Sequence, residues 1–449
     1  MGTRFRTYQP EQMLLLPPNL KDWLPEGHLA HRVSEVVDTL DLTPFYARYR
    51  GDGRRNSPYA PRMMVKVLLY GYATGVRSSR QIARKLEEDV AFRMLAAGNF
   101  PRHRTICEFR RRHLDDLGDL FVEVVRVMRE MGLVAFGTLS LDGTKVRANA
   151  SKRKAMSYGR MVGEEARLRK EIEKLLLRAE REDAEEDERL GKEVRGDEIP
   201  ADLRRREDRL AKIRAAKERL EARARRRDAA RGREAGQERS RKNGRRYARP
   251  YGEPGAKEQS NFTDPESGIM RTSTEGYQQC YNGQTVVDDA HQVVVGASVS
   301  RCASDQGGLV AGLDEVEEDF GERPVEVLAD AGYRNEADLR ELERRNIEGY
   351  VALGREGKKM EEVDPKKLPA TARMKEKLLT GAGRERYARR KWLSEAPNGW
   401  IKEVLGFRRF SFRGFAKVRA EWKLVCLALN VRRSVALTAF WPSPAPLTS

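Results

Sequence analysis

Apolar positions in the first 135 residues recur at helical spacing and come in short runs. Pro61 can open a helix on which Met63, Met64, Val67, Leu68 and Tyr72 recur, and Gly75 is placed to stop it. Ser78 or Ser79 can cap a second helix carrying Ile82, Ala83 and Leu86. Asp89 opens a third with Phe92 and Leu95, closed by Gly98, Asn99 and Pro101. Thr105 then precedes Ile106, Phe109 and the basic run Arg110, Arg111, Arg112, His113. Short helices broken by tight turns, the later ones rich in arginine, fit a helix-turn-helix-like DNA-binding unit; a helical bundle with a solvated basic face fits as well.

From Phe136 the period changes. Leu139 and Leu141 alternate with Ser140 and Asp142, which predicts a strand. Residues 155 to 250 are then dominated by Glu, Lys, Arg and Ala. Leu168, Ile172 and Leu175 make one narrow apolar stripe, Leu203, Leu210, Ile213 and Leu220 another, with Gly196–Pro200 between them. This predicts a charged helical hairpin with a mobile basic end, Arg239 to Arg249. Strands are expected at 277–289 and 292–300, a helix at 305–320, a strand at 325–329, a helix at 335–345 and a strand at 350–353. Residues 355 to 385 read as a polar loop. A last apolar helix spans 418–431, and the Pro-rich tail from Trp441 reads as disordered. Strands alternating with helices predict an α/β sheet covered by helices.

The 449 residues give a prior of two or three domains. Lys and Arg number 87 against 69 Asp and Glu, a net charge of +18, which points to a polyanionic partner such as nucleic acid. No apolar run approaches the roughly 20 residues needed to span a bilayer, so a cytoplasmic protein without a membrane partner is expected. The four cysteines (Cys107, Cys280, Cys302, Cys426) are far apart, which argues against a disulfide framework or a structural zinc site.

Two aspartates stand out by position. Asp142 follows the apolar run TLSL and Asp330 follows VEVLA, so each lies at the carboxyl end of a strand, where open α/β sheets place ligands. If the strands are neighbours, the carboxylates converge, and converging carboxylates repel unless a hard divalent cation such as Mg²⁺ or Mn²⁺ neutralises them. Two such ions about 4 Å apart can assist displacement at phosphorus. Aspartates also close strands simply as turn residues. A Walker-type loop, a GxSxG elbow and an HExxH motif are all absent from the sequence.

Five segments carry a resemblance: Thr138–Ser151 (TLSLDGTKVRANAS), Asn261–Met270 (NFTDPESGIM), Tyr281–Asp288 (YNGQTVVD), Leu328–Asn335 (LADAGYRN) and Gly406–Asn430. Together with His103–His113 (HRTICEFRRRH) they resemble, in order and over nearly the whole chain, DDE transposases of bacterial insertion sequences. The likeness is to the broad IS-four/IS-five class, in the branch with a charged insertion after the first aspartate. It implies an all-α N-terminal DNA-binding domain (1–135), an RNase H-like α/β catalytic domain (136–154 and 255–432), the helical-hairpin insertion (155–254) and a tail (433–449). It further implies two Mg²⁺ ions, with Mn²⁺ a possible substitute, double-stranded DNA as substrate, and a homodimer when two DNA ends are synapsed.

Carried onto this chain, the resemblance makes Asp142 the first metal-binding acid and Asp330 the second, with Tyr333 in the accompanying DxGY pattern. Glu395 and Lys402 fit a Glu-x6-Lys pattern, while Lys391 stands where arginine is expected and Tyr387 lies one residue early. On an uninterrupted helix Lys391, Glu395 and Lys402 share a face. Pro397, Asn398 and Gly399 are poor helix formers, so a helix restarting after a Ser394 cap is the alternative, with Glu403 as fallback acid. Lys391, Lys402, Arg110, Arg111, Arg112, Arg408 and Arg409 are the expected DNA contacts. Phe410, Phe412 and Trp422 are expected in the core, and Asn282 and Gln284 in support of the first aspartate's strand. Two rival readings stay open: a decayed DNA-binding remnant, and a nuclease without strand transfer.

Overall fold

The N-terminal helices are α1 (Leu29–Thr39), α2 (Thr43–Ala47), α3 (Pro61–Ala73), α4 (Ser79–Glu88), α5 (Val90–Leu95), α6 (His103–Arg112) and α7 (Leu114–Glu130). The computed structural model describes residues 19–49, 57–190, 201–239, 244–272, 275–354 and 362–438, without the side chains of 179, 180, 182–190 and 201–203. Pro61 sits in the first turn of α3, where its missing N–H costs nothing. The Asp89 carboxylate accepts the Ala91 and Phe92 N–H groups and so starts α5. Helix α3 is buried on nearly every side, as expected of a helix packed between neighbours.

The remaining elements are β1 (Thr138–Arg147), β2 (Ala155–Ser157), α8 (Tyr158–Leu190), α9 (Ala201–Ala230), β3 (Gln259–Asn261), β4 (Gly268–Thr272), β5 (Gly276–Asp288) and β6 (Val294–Ser300). They continue with α10 (Gly308–Phe320), β7 (Glu326–Ala329), α11 (Glu336–Arg344), β8 (Glu348–Val351), α12 (Pro369–Leu379), α13 (Gly381–Ala388), α14 (Arg390–Glu403) and α15 (Phe415–Leu437). The main sheet runs β6-β5-β1-β7-β8, and β4 pairs with the first part of β5. Strand β5 is antiparallel to both β1 and β6; β7 is parallel to β1, and β8 to β7.

Strand β1 is covered on both faces. Leu141 packs against Gly312 of α10, where a Cβ would stand 2.9 Å from Leu141 Cδ2. On the other face Ser140 is fully buried, and its hydroxyl meets that of Ser394 in α14 at 2.8 Å. The Leu-Ser-Leu-Asp alternation therefore separates two buried faces rather than core from solvent.

Three expectations need correction. Residues 362–385 are not all loop: α12 and α13 lie there, on a segment whose apolar residues, Ala370, Met374 and Leu378, recur at helical spacing and are buried. The last helix runs from Phe415 to Leu437, past the expected boundary at 432, because Val431 and Ser434 are still buried. Gly307, in left-handed geometry, caps α10, so that helix begins at Gly308 and leaves Asp305 in the preceding turn.

The charged insertion is a hairpin with a small core of its own, formed by Met161, Leu168, Leu210, Ile213, Ala216 and Leu220. Glu165 lies at its centre and pairs with Arg169, Arg214 and Lys217. In the described part of its basic end, Tyr247 and Arg249 are in contact with Arg233. The Arg233 guanidinium lies 3.9 Å from the Tyr247 ring and donates to the Arg249 carbonyl at 2.7 Å. Gly196–Pro200, the Leu203 side chain and the tail from Trp441 lie outside the described residues.

The N-terminal helices and the sheet share one continuous apolar core, with α15 packed on α1, α3 and α7. A buried polar latch crosses this contact. Glu421 Oε1 accepts the Tyr72 hydroxyl at 2.9 Å, and its Oε2 accepts the Ser411 and Phe412 N–H groups at 2.8 and 3.2 Å. Arg110 donates to the Tyr72 hydroxyl at 3.3 Å and the Arg77 carbonyl at 2.8 Å, with its guanidinium over the Phe412 ring. Arg110 is thus a buried structural residue and not a DNA contact; its place on α6 turns it inward, while Arg111 and Arg112 face solvent. Trp422 is fully buried; its indole N–H donates to the Gln284 carbonyl at 2.9 Å, and its ring fills the space a Cβ on Gly283 would need, 2.7 Å away. Gly283→Ala is therefore expected to cost about 1–3 kcal/mol by overpacking. Urea or thermal denaturation measures this, and an unchanged transition would mean that Trp422 moves aside freely.

Candidate active site

The register of the β1–β7 pair sets the site. Leu141 lies opposite Ala329, so the next residue on each strand, Asp142 and Asp330, stand side by side at the same end of the sheet. Asp330 ends its strand by turning its carboxylate onto the Gly332 N–H at 2.8 Å, which starts the short helical turn Ala331–Tyr333. Asp142 Oδ1 accepts the Gly143 N–H at 2.9 Å, and its Oδ2 accepts the side-chain amide of Asn398 in α14 at 3.0 Å.

Burial pushes the Asp142 carboxyl up to about 6, and the Asp330 charge adds to the effect; the Asn398 amide, Arg390 and the Gly143 N–H oppose it. Burial also raises Asp330, with Asp305 contributing, against the Gly332 N–H and Arg390. Burial works against the Arg390 charge, but Tyr387, Asp142 and Asp330 outweigh it and its pKa is raised. Lys402 on the same helix is lowered by burial, partly offset by Asp142.

Helix α14 runs unbroken through Pro397. The uninterrupted-helix reading therefore holds, and the restart after Ser394 is overturned: Ser394 is buried inside the helix against Ser140. Lys391, Glu395, Asn398 and Lys402 follow one stripe. The residue of that stripe that touches Asp142 is Asn398. Glu395 is 48% exposed and bonds Arg390 at 3.0 Å, so it reaches the aspartate pair through the guanidinium. Glu403 is exposed and grips Arg408 at 2.6 Å. Among the described residues, no three acidic, histidine or cysteine side chains form a ready-made metal cage.

Asp305 is the residue that sequence reasoning missed. It lies in the turn before α10, and its Oδ1 accepts the side-chain amides of Asn282 and Gln284, both at 2.6 Å. Tyr333, fully buried, donates its hydroxyl to Gln284 Oε1. The side-chain amides of β5 thus brace Asp305 and the Asp330 turn, while its backbone pairs with the strand of Asp142, with Gln284 opposite Gly143. The only signal in the sequence was an aspartate two residues before a Gly-Gly pair, which reads equally well as the start of a helix.

A cleft of about 500 Å³ opens over Asp305 and Asp330 and is lined by Lys145, Arg147, Arg271, Lys402 and Arg408, with Glu275 and Glu403. Of the expected DNA contacts, Lys402 and Arg408 line this cleft. Lys391 is exposed on α14, Arg409 is exposed and donates to Asn149 Oδ1 at 2.8 Å, and Arg111 and Arg112 lie on the surface of α6. Lys145, Arg147 and Arg271 come from strands whose charge had no pattern to mark it.

Two half-buried carboxylates thus lie on neighbouring strands, covered by a helix that brings an amide and basic side chains. Two family models match the chain: Transposase domain (DUF772) over residues 18–112, and Transposase DDE domain over residues 254–431. The chain belongs to the DDE transposases of insertion sequences and is a transposase. No curated protein and no solved structure matches it. Asp142 lies upstream of the DDE match, and the sheet brings it beside Asp330, which lies within it. Among the described residues no helix is long and apolar enough to cross a membrane.

The raised Asp142 carboxyl makes a signed prediction. An unfolded aspartate loses its proton near 3.8, whereas the folded one holds it to about 6. Stability therefore falls as pH rises through that window, and the loss is complete above it. In chelator, Asp142→Asn should match the wild type near pH 4 and exceed it near pH 8, by at most about 3 kcal/mol. Melting curves across pH test this; an equal difference at both ends would remove the electrostatic account.

Proposed function

We propose that the protein binds the terminal inverted repeats of its insertion sequence, cleaves DNA there and joins the freed strands to target DNA. The carrying observation is the side-by-side placement of Asp142 and Asp330, both of whose charges are opposed by burial. The strand order β6-β5-β1-β7-β8, with its mixture of antiparallel and parallel pairs, supports an RNase H-like catalytic domain.

The donor set fits a hard divalent cation, being all oxygen and electrostatically strained without one. Asp142, Asp330 and Glu395 would hold two Mg²⁺, or Mn²⁺ in their place. Bound there, the ions supply activation of the attacking oxygen and stabilisation of the departing one. The protein's own groups prepare the rest. Asn398 orients Asp142, Arg390 balances the aspartate pair and holds Glu395 beside it, and Lys402, Arg408, Arg409 and Lys391 take phosphates. Hydrolysis frees a 3′-hydroxyl, which then attacks the target phosphodiester, and the protein forms no covalent bond to DNA. The N-terminal helices, through Arg111 and Arg112, recognise the DNA ends, and two copies of the chain synapse them.

A plasmid carrying this gene with its flanking DNA, incubated with the full-length protein and Mg²⁺, tests the reading. Nicks at the gene's borders and joined products are expected with wild type; Asp142→Ala, Asp330→Ala and Glu395→Gln should fall to background while still binding DNA. Binding without any nicking in the wild type would favour a decayed remnant, and nicks without joined products a nuclease.

A further inference from the structure

We infer that Asp305 is a third working aspartate of the centre, a carboxylate that takes up the same divalent cation as Asp330. The inference rests on the proposed cation-dependent reading and adds a residue to it.

The geometry comes from two glycines. A Cβ on Gly332 would stand 2.8 Å from Asp305 Oδ2 and 2.9 Å from Asp330 Oδ1, so the two carboxylates face one another across a single point. A Cβ on Gly143 would collide with Asp305 Oδ1 and with the Gln284 amide. The glycines that follow Asp142 and Asp330 thus clear the space that the third carboxylate occupies. Any side chain at either position would push it away.

The partners of Asp305 are divided between its two oxygens. Asn282 and Gln284 both donate to Oδ1, and Tyr333 fixes Gln284 from behind, which locks the carboxylate plane. Oδ2 is left toward Asp330, and among the described residues no lysine or arginine pairs with Asp305. The Asn282 amide also leaves its own Oδ1 buried without a hydrogen-bond partner beside this carboxylate. A braced pair of like charges, with a further unpaired oxygen next to it, is a donor set that a cation completes. Mg²⁺ ligand oxygens lie about 2.1 Å from the ion, so binding one ion draws the two facing carboxylates together. Both residues also line the basic cleft, so the ion would lie where a phosphate can reach it.

The test uses full-length protein without DNA. Fe²⁺ with ascorbate and peroxide generates hydroxyl radicals at the bound ion, which cut the backbone nearby. Cuts near 142, 305 and 330, suppressed by excess Mg²⁺, are expected. Cuts near 142 and 330 without one near 305 would overturn the inference and leave the proposed function standing. No Mg²⁺-suppressible cut at any of the three would overturn both. In parallel, Asp305→Asn should weaken Mn²⁺ binding, read by electron paramagnetic resonance, by about tenfold or more, with the metal-free melting temperature retained. Unchanged Mn²⁺ affinity would overturn the inference. If the substitution unfolds the chain, the radical cuts on the wild type still decide.

Discussion

The structure turns on the register between β1 and β7. With Leu141 opposite Ala329, two carboxylates leave adjacent strands at the same level. Such a pair is unfavourable in a low-dielectric setting, and the surrounding fold holds it in place. Strand β1 is pinned by α10 on one face and α14 on the other. The Gly143 and Gly332 N–H groups and the Asn398 amide give the charges their hydrogen bonds, and Arg390 supplies a positive charge. A site in which burial and like charge both oppose ionisation stores a preference for a cation, and stability is the expected cost.

The same sheet binds the N-terminal helices more closely than a string of separate domains would require. Helix α15 lies between them and β6, and Glu421 on that helix joins Tyr72, Ser411 and Phe412 in one buried network. Arg77 adds a hydrogen bond to the Gly406 carbonyl and lies over the Phe407 ring. The loop from 406 to 412, which follows α14, is therefore held by residues of the N-terminal unit. The charged hairpin, by contrast, keeps a separate small core and is tied at its base by the β2–β3 pair.

Much of this was readable from local pattern. Pro61 and Asp89 mark helix starts because their effects act within one turn. The apolar runs before Asp142 and Asp330 predict strands, and the order of elements predicts a layered α/β domain. The tract holding α12 was missed because its few apolar residues are diluted by lysines. Arg110 was misread because one position in a basic run faces inward, and only the packing of α6 decides which.

By itself, the sequence determined the kind of elements, the family and the two aspartates at strand ends, since each depends on residues close together in the chain or on an ordered set of motifs. Tertiary structure alone decided that β1 lies beside β7, that Asn398 rather than Glu395 touches Asp142, and that Asp305 comes up against Asp330. Those contacts join residues up to 256 positions apart. Hydrophobic periodicity says which face of an element is buried, but not which distant element covers it.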